Sequence, residues 1–346
     1  METIVRYSKF ASNPHGDGGS KRSVQIEELW RARNVDFIEE KFVLPKNYSV
    51  IQAMIWVLRS FLFISKYVGW NNFIGLKEKV KALLIYALRL PVIYDKYKGK
   101  DVTFLWENTQ DLPSLYMMKA AGAKIIAYPH NLESLVPTQV DLTTHKQSPY
   151  WLYEEVYRLK LCDEVYAISK EETWLLQLFG INAKYFPYYP PNEAEEEFLK
   201  IKALREEAKK HKIGQKSFLI FGSATNPPTR MGMQCLIDFF ASQQNLSYTI
   251  YVGGYKSETL DCKPHPQIQY HGTLSIEKMQ GLLIEVDGII INQPTTSGAL
   301  TRIVENRIAG IPVYANFGAA RDFYNLSDVH VYESLEQLDN MLDYIR

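Results

Sequence analysis

Short apolar runs alternate with stretches of helical period along nearly the whole chain. That rhythm predicts an α/β protein with parallel strands covered on both faces. In the first half the predicted strands are Thr3 to Tyr7, Val35 to Ile38, Val102 to Trp106, Lys124 to Tyr128 and Glu164 to Ile168. In the second they are Ser217 to Phe221, Tyr248 to Val252, Ile268 to His271, Gly288 to Ile291, Val313 to Ala315 and Val329 to Tyr332. Helical patterns fall between the latter at Gly232 to Ala241, Ile276 to Ile284 and Leu300 to Ala309, and a last one runs from Leu335 to Ile345.

The two series are separated by Phe186 to Asn192, where three prolines forbid a continuous helix and restrict the residues before them. A boundary there gives an N-terminal domain of residues 1–187 and a C-terminal domain of residues 188–330. Residues 331–346 then form a strand end and helix expected to pack back toward the first domain. A charged helix, Glu193 to His211, opens the second series and reads as a solvated face. A length of 346 residues with 46% hydrophobic content suits two such domains.

Doubly wound sheets bind ligands beyond the carboxyl ends of their strands, so two facing domains would enclose a cleft lined by strand-to-helix loops. The loops so selected are Asn13 to Arg22, Pro129 to Val136, Gly222 to Gly232, Gly272 to Ser275 and Gln293 to Thr301. The first carries Gly16, Gly18 and Gly19 ahead of Ser20, Lys21 and Arg22, which are read as opening a helix. It suits a phosphate or a sugar hydroxyl, the plainer alternative being a flexible turn with two solvated cations. It matches neither the dinucleotide GxGxxG pattern nor the P-loop. The second sets His130, Asn131 and Glu133 at a strand terminus, all able to bond hydroxyls, although an isolated histidine is often structural.

In the third loop Gly222 and Ser223 lie at a strand end and Arg230 offers a fork-shaped cation for diphosphate. The last is the most informative. A polar turn, Thr296 to Ala299, leads into a helix that would direct the amides of Ser297, Gly298 and Ala299 at a diphosphate, and Arg302 and Glu305 share one helical face. A surface ion pair is the alternative for those two.

These residues resemble GT-B fold glycosyltransferases, especially the large retaining glycosyltransferase family 4. The resemblance covers most of the chain. It is carried by Cys162 to Lys170, by Phe221 to Ser223 with Thr229 to Met233, by His271 to Ser275 and by Ser297 to Val313. It implies two Rossmann-like, doubly wound parallel-sheet domains facing a central cleft, the first binding acceptor and the second a nucleotide-sugar donor.

The same resemblance implies that Arg230 and Arg302 neutralise the donor diphosphate and that Glu305 holds the ribose hydroxyls. Gly272 and Thr273 would border the base, with Gly222, Ser223 and Thr296 to Ala299 on phosphate and sugar. Gly18 and Gly19 would face the donor across the cleft. His130 would meet the transferred sugar, and Lys21, Asn131 and Glu133 the acceptor. One position departs: the family often carries two glutamates eight positions apart, and Ser297 stands where the first would precede Glu305.

The implied reaction moves a sugar from a nucleotide diphosphate, with uridine as the expected base, to a saccharide or lipid-linked acceptor with retention, in polysaccharide or glycoconjugate assembly. Electrostatic stabilisation of the leaving diphosphate would supply most of the catalysis. No DxD lies between the donor-domain strands, so neither metal nor cofactor is expected. A nucleotide-sugar epimerase of the same fold, or an inactive nucleotide-sugar or partner-binding protein, stays open as an alternative. A dehydrogenase is disfavoured by the missing glycine fingerprint.

Lys+Arg and Asp+Glu both total 39, which removes the global field that a nucleic-acid partner needs. Three scattered cysteines and a polar N-terminus point to a reducing, cytoplasmic setting. Residues 50–90 read as a basic, apolar helix pair in which Arg59 and Lys66 argue against a membrane span. The pair suits either internal packing with a solvated charged edge or peripheral contact with an anionic bilayer. Oligomeric state is not legible.

Overall fold

The computed structural model describes every residue except 1, 9, 34, 44, 46, 74, 108, 137–148, 213 and 344–346. Contacts divide it into one unit of Met1–Ser12 with Ser23–Pro187 and a second of Asn13–Arg22 with Tyr188–Arg346.

The first series runs β1 (Thr3–Tyr7), α1 (Gly18–Arg31), β2 (Asp36–Glu39), α2 (Val50–Phe63), α3 (Gly75–Arg89), α4 (Tyr94–Tyr97), β3 (Val102–Trp106), α5 (Leu112–Ala121), β4 (Lys124–Ala127), α6 (Pro149–Leu159), β5 (Glu164–Ala167), α7 (Lys170–Leu178) and β6 (Ala183–Tyr185). The second runs α8 (Asn192–His211), β7 (Ser217–Phe221), α9 (Pro227–Ser242), β8 (Thr249–Gly253), β9 (Ile268–Gly272), α10 (Ile276–Glu285), β10 (Gly288–Ile291), α11 (Thr301–Ile308), β11 (Val313–Asn316), α12 (Phe317–Ala320), β12 (Val329–Tyr332) and α13 (Leu335–Asp343).

Both sheets are parallel, with orders β2-β1-β3-β4-β5-β6 and β12-β11-β10-β7-β8-β9. Strand order therefore reverses once in each: between β1 and β3 in the first, and between β7 and β10 in the second. Each reversal opens a crevice at the strands' carboxyl ends because successive helices leave toward opposite faces.

Apolar residues fill both faces of these strands, as the sequence rhythm requires. On the first sheet Val5, Phe104 and Ile125 pack into one core, while Ile4, Leu105 and Ile126 meet Ile26 and Trp30 of α1 in another. In the second unit Phe218 and Ile220 pack on Met233, Leu236 and Phe240 of α9. This helix approaches the sheet closely at Gly232, where a Cβ would lie 1.6 Å from the Asn292 carbonyl oxygen.

Several expectations need correction. β6 was missed because Ala-Lys-Tyr has no apolar run; it is a three-residue edge strand paired to β5. α9 begins at Pro227, not Gly232. Two prolines fit a helix's first turn, where amides have no intrahelical acceptor, and Asn226 caps it by accepting the Thr229 amide at 3.2 Å. α1 likewise starts at Gly18, ahead of Ser20, with the Asp17 carboxylate accepting the Ser20 amide at 2.8 Å.

Leu338 and Leu342 of α13 join the second unit's core, and the last predicted helical residues lie outside the described ones. α8 is not wholly a solvated face, since Arg205 is buried and donates to the carbonyls of Leu283, Ile284 and Val286 at the end of α10. Burial there pushes its guanidinium down to about 10. Those carbonyls have no intrahelical partner, so the arginine serves as their cap.

Gly232→Ala should test the close helix–strand approach. Overpacking of this kind typically costs about 1–3 kcal/mol, so the second unit should melt several degrees lower in calorimetry. An unchanged midpoint would contradict the 1.6 Å approach.

Candidate functional site

The second unit's crevice is built around Arg302 in the first turn of α11. Its guanidinium spans the strand reversal: Nη1 donates to the Phe221 carbonyl at the end of β7 at 2.8 Å, and Nη2 to Gln293 Oε1 just after β10 at 3.1 Å. Gly222 is required here because a Cβ would stand 2.5 Å from Arg302 Nη1. Arg302 Nε is sealed from solvent and has no partner among the described residues. Burial pushes the group down to about 10, partly offset by the nearby charge of Glu305. A cation with an unused, enclosed N–H is suited to an anion.

One turn along α11, Glu305 Oε1 accepts from Lys21 Nζ at 2.9 Å and from the Tyr188 hydroxyl at 2.7 Å. Lys21 and Glu305 are 14% and 12% exposed, so the pair is screened much less than a surface ion pair. Glu305 Oε2 has no partner among the described residues and can accept from hydroxyls. Lys21 comes from the segment Asn13–Arg22, which groups with the second unit, and Gly18 lies so close to α11 that a Cβ would meet Thr301 Oγ1 at 2.8 Å. Lys21, expected on the acceptor side, thus stands beside Glu305 of α11. Its partner is Glu305, and the plainer alternative, an Arg302–Glu305 surface ion pair, is not formed among the described residues.

Helix α11 begins at Thr301, one residue after the expected Leu300, and Ser297, Gly298 and Ala299 lie in the turn that leads into it. Gly298 adopts φ 80°, a left-handed conformation natural to glycine, and its carbonyl accepts from Arg321. Gln293 is fixed by Asn316, whose Oδ1 accepts the Gln293 amide at 3.0 Å and whose Nδ2 donates to its carbonyl at 2.8 Å. Thr296 belongs to the same turn.

Arg230 lies on α9 and gives its hydrogen bonds to Thr259, at 2.7 Å to Oγ1 and 2.6 Å to the carbonyl. Ser223 shares a 2.7 Å hydroxyl contact with Thr225. Gly272, at φ 63°, ends β9, and Thr273 links two loops by accepting the Lys256 amide at 2.9 Å and donating to Glu258 at 2.9 Å. Gly19 sits in the first turn of α1.

The first unit's crevice has a buried network of its own. Arg6 at the end of β1 is fully buried and donates through Nε to Glu107, just after β3, at 2.5 Å. Arg6 Nη1 also reaches Ser12 at 3.0 Å and Glu27 at 2.8 Å. Burial alone would raise Glu107, but a hydrogen bond from His130 and the charge of Arg6 hold its carboxyl below the usual range. Ser23 Oγ donates to Glu107 Oε2 at 2.5 Å, and His130 Nε2 lies 3.4 Å from the same oxygen. The His130 ring stacks on Phe10 with centroids 4.5 Å apart. His130 is thus an oriented imidazole backed by a carboxylate, an arrangement suited to holding or passing a proton.

Asn131 and Glu133 follow His130 in a loop pinned from beneath. The Leu132 amide donates to Glu172 at 2.9 Å, and Glu155 of α6 accepts from the Glu133 amide at 3.0 Å, the Ser134 amide at 3.1 Å and the Ser134 hydroxyl at 2.5 Å. Burial pushes the Glu155 carboxyl up to about 7 despite these bonds. Sequence reasoning missed Arg6, Glu107, Tyr188, Gln293 and Arg321. A charged residue ending or following an apolar strand was the available signal for the first two.

The Glu155 carboxyl should titrate near 7 by carbon-13 NMR. Because its folded value lies above the unfolded one, the folded state binds the extra proton between the two. Stability should then fall as pH rises through about 4.3 to 7, by on the order of 3 kcal/mol. A midpoint below 5 would contradict the burial that raises it.

No protein-family model and no curated protein matches the chain. Solved structures do. Sucrose-phosphate synthase from Thermosynechococcus elongatus matches at 15% identity over 99% of this chain and 89% of its own, with a TM-score of 0.59. HepE of Anabaena, solved in complex with UDP-glucose, matches at 12% identity over 99% and 89%, with a TM-score of 0.60. The catalytic domain of Starch Synthase IV from Arabidopsis thaliana, bound to ADP and acarbose, matches at 8% identity over 99% and 92%, with a TM-score of 0.56. With the two six-stranded parallel sheets, these likenesses establish a two-domain α/β fold of the GT-B type.

Proposed function

We propose that this chain is a glycosyltransferase that takes a sugar from a nucleotide diphosphate, with uridine as the base, and passes it to a saccharide or lipid-linked acceptor in polysaccharide or glycoconjugate assembly. The observation that carries the reading is the strand-reversal crevice of the second unit. There, an enclosed arginine N–H without a partner lies in the same helix as a carboxylate that keeps one oxygen unbonded. The first suits a diphosphate and the second a ribose diol. That structures of this fold carry UDP-glucose in HepE and ADP in Starch Synthase IV supports a nucleotide-sugar donor.

In this reading the bond between the anomeric carbon and the diphosphate oxygen breaks as the acceptor oxygen attacks from the same side, giving retention. The leaving phosphate oxygen takes the acceptor's proton. Arg302 stabilises the charge that grows on the diphosphate, a role that needs no rearrangement because its guanidinium is already fixed by Phe221 and Gln293. Arg230 would join it by exchanging Thr259 for phosphate oxygens, and no metal is assigned a part. His130, held by Glu107, contacts the transferred sugar, and Asn131 and Glu133 serve the acceptor. Ser297 leaves the sugar without the acid that the resemblance leads one to expect, so the donor sugar is read from screening.

The test incubates the protein with UDP-sugars, with and without a saccharide acceptor, and measures UDP release. Acceptor-dependent release, reduced at least about a hundredfold in Arg302→Lys, is the expected result. Release without acceptor would favour the epimerase alternative. Binding of UDP-sugar with no release under either condition would sink the transferase reading.

A further inference from the structure

α2 and the π-helical turn that follows it, Ile64–Val68, form a 19-residue apolar stretch of mean hydropathy 1.3, of which only 17% is buried. The part that is buried ties it to its own unit. Ser60 Oγ bonds to the Leu83 carbonyl of α3 at 2.9 Å, Phe63, Ile64 and Val68 enter the core, and Arg59 pairs with Asp95. These attachments run along one side of the helix, so it cannot be withdrawn to cross a bilayer without unmaking the core of the first unit.

The other side has no partner among the described residues. Ile51, Met54, Ile55, Leu58 and Leu62 recur at helical spacing and are between 50% and 71% exposed. On α3, which packs against α2, Leu76, Val80 and Leu84 form a second stripe, 48% to 79% exposed. The expectation of packing helices with a solvated charged edge is thus inverted, because much of what faces solvent is apolar. A contiguous apolar surface of this extent marks an interaction site.

Charge decides between occupants. From Tyr48 to Arg89 the sequence has six Lys or Arg and one acidic residue, Glu78. Arg59 and Arg89 are paired with Asp95 and Asp111, which leaves Lys66, Lys77, Lys79 and Lys81 beside the apolar stripes. A two-fold contact with a second copy would bring the same lysines together and repel. Trp56 and Trp70, both half-buried, supply the amphipathic rings favoured at a membrane interface.

We propose that α2 and α3 lie flat on an anionic lipid surface, with the Ile51–Leu62 and Leu76–Leu84 stripes in the acyl boundary and the lysines on phosphate headgroups. The proposal does not depend on the transferase reading, because it concerns only the first unit's helices and is tested without a sugar.

The test is flotation of the full chain with vesicles of phosphatidylcholine alone or mixed with phosphatidylglycerol. Binding to the anionic vesicles should exceed binding to the neutral ones at least tenfold. Replacing Lys77, Lys79 and Lys81 together by Gln should weaken it roughly a hundredfold, and Leu58→Glu with Leu62→Glu should abolish it. Those leucines are 63% and 59% exposed, so the double variant should melt with the wild type, which a thermal scan checks. No flotation with either vesicle, equal flotation with both, or a soluble dimer that Leu58→Glu dissociates would each overturn the proposal.

Discussion

In each sheet the strand order reverses once, and at both reversals an arginine ties the parting strand ends together. Arg6 joins the end of β1 to Glu107 beyond β3, and Arg302 joins the end of β7 to Gln293 beyond β10. A reversal leaves two adjacent strand ends whose chains depart to opposite faces, so carbonyls and loop residues there lack the neighbours that a continuous sheet supplies. A buried guanidinium meets that need with several donors in one plane. Desolvating a cation is costly, and removing one partner of a buried pair typically costs about 3–5 kcal/mol, so the surroundings of each arginine are tightly determined.

The consequences differ between the two crevices. Around Arg6, Nε and Nη1 are matched by carboxylates and a hydroxyl while Nη2 is enclosed without a partner among the described residues, and the network's outward product is an oriented His130. Around Arg302, which likewise has one N–H enclosed without a partner, the acceptors are neutral, burial pushes the guanidinium down to about 10, and Gly222 keeps the strand end bare beside it. The first guanidinium is thus neutralised by carboxylates at its own crevice, while the second has no carboxylate in direct contact among the described residues.

Much of the fold was legible because parallel strands buried on two faces must be apolar throughout, and such runs stand out at Val102–Trp106 or Gly288–Ile291. β6 was hidden because an edge strand of three residues has no such requirement. Helix starts were misjudged where prolines occupy the first turn, as at Pro227, or glycines do, as at Gly18. Arg302 and Glu305 were singled out from their place at a strand-to-helix loop, and the structure sets both on α11. Tyr188 and the pairing of Lys21 with Glu305 were not, since both arise from segments distant in sequence and carry no local pattern. Arg230 shows the reverse limit: its position suggested an anion, while its partners are those of Thr259. The exposed apolar side of α2 was invisible to periodicity, which finds a stripe but not what covers it.

The account stands on the crevice at the β7 and β10 ends being a nucleotide site in which Glu305 takes the ribose. Calorimetric titration of UDP into the wild-type chain and into Glu305→Ala tests it most directly. The account predicts saturable one-to-one binding by the wild type, weakened at least about thirtyfold in the variant, as expected when charge-assisted hydrogen bonds worth roughly 2 kcal/mol are lost. Absence of binding to the wild type, or equal affinity in the two proteins, would contradict it.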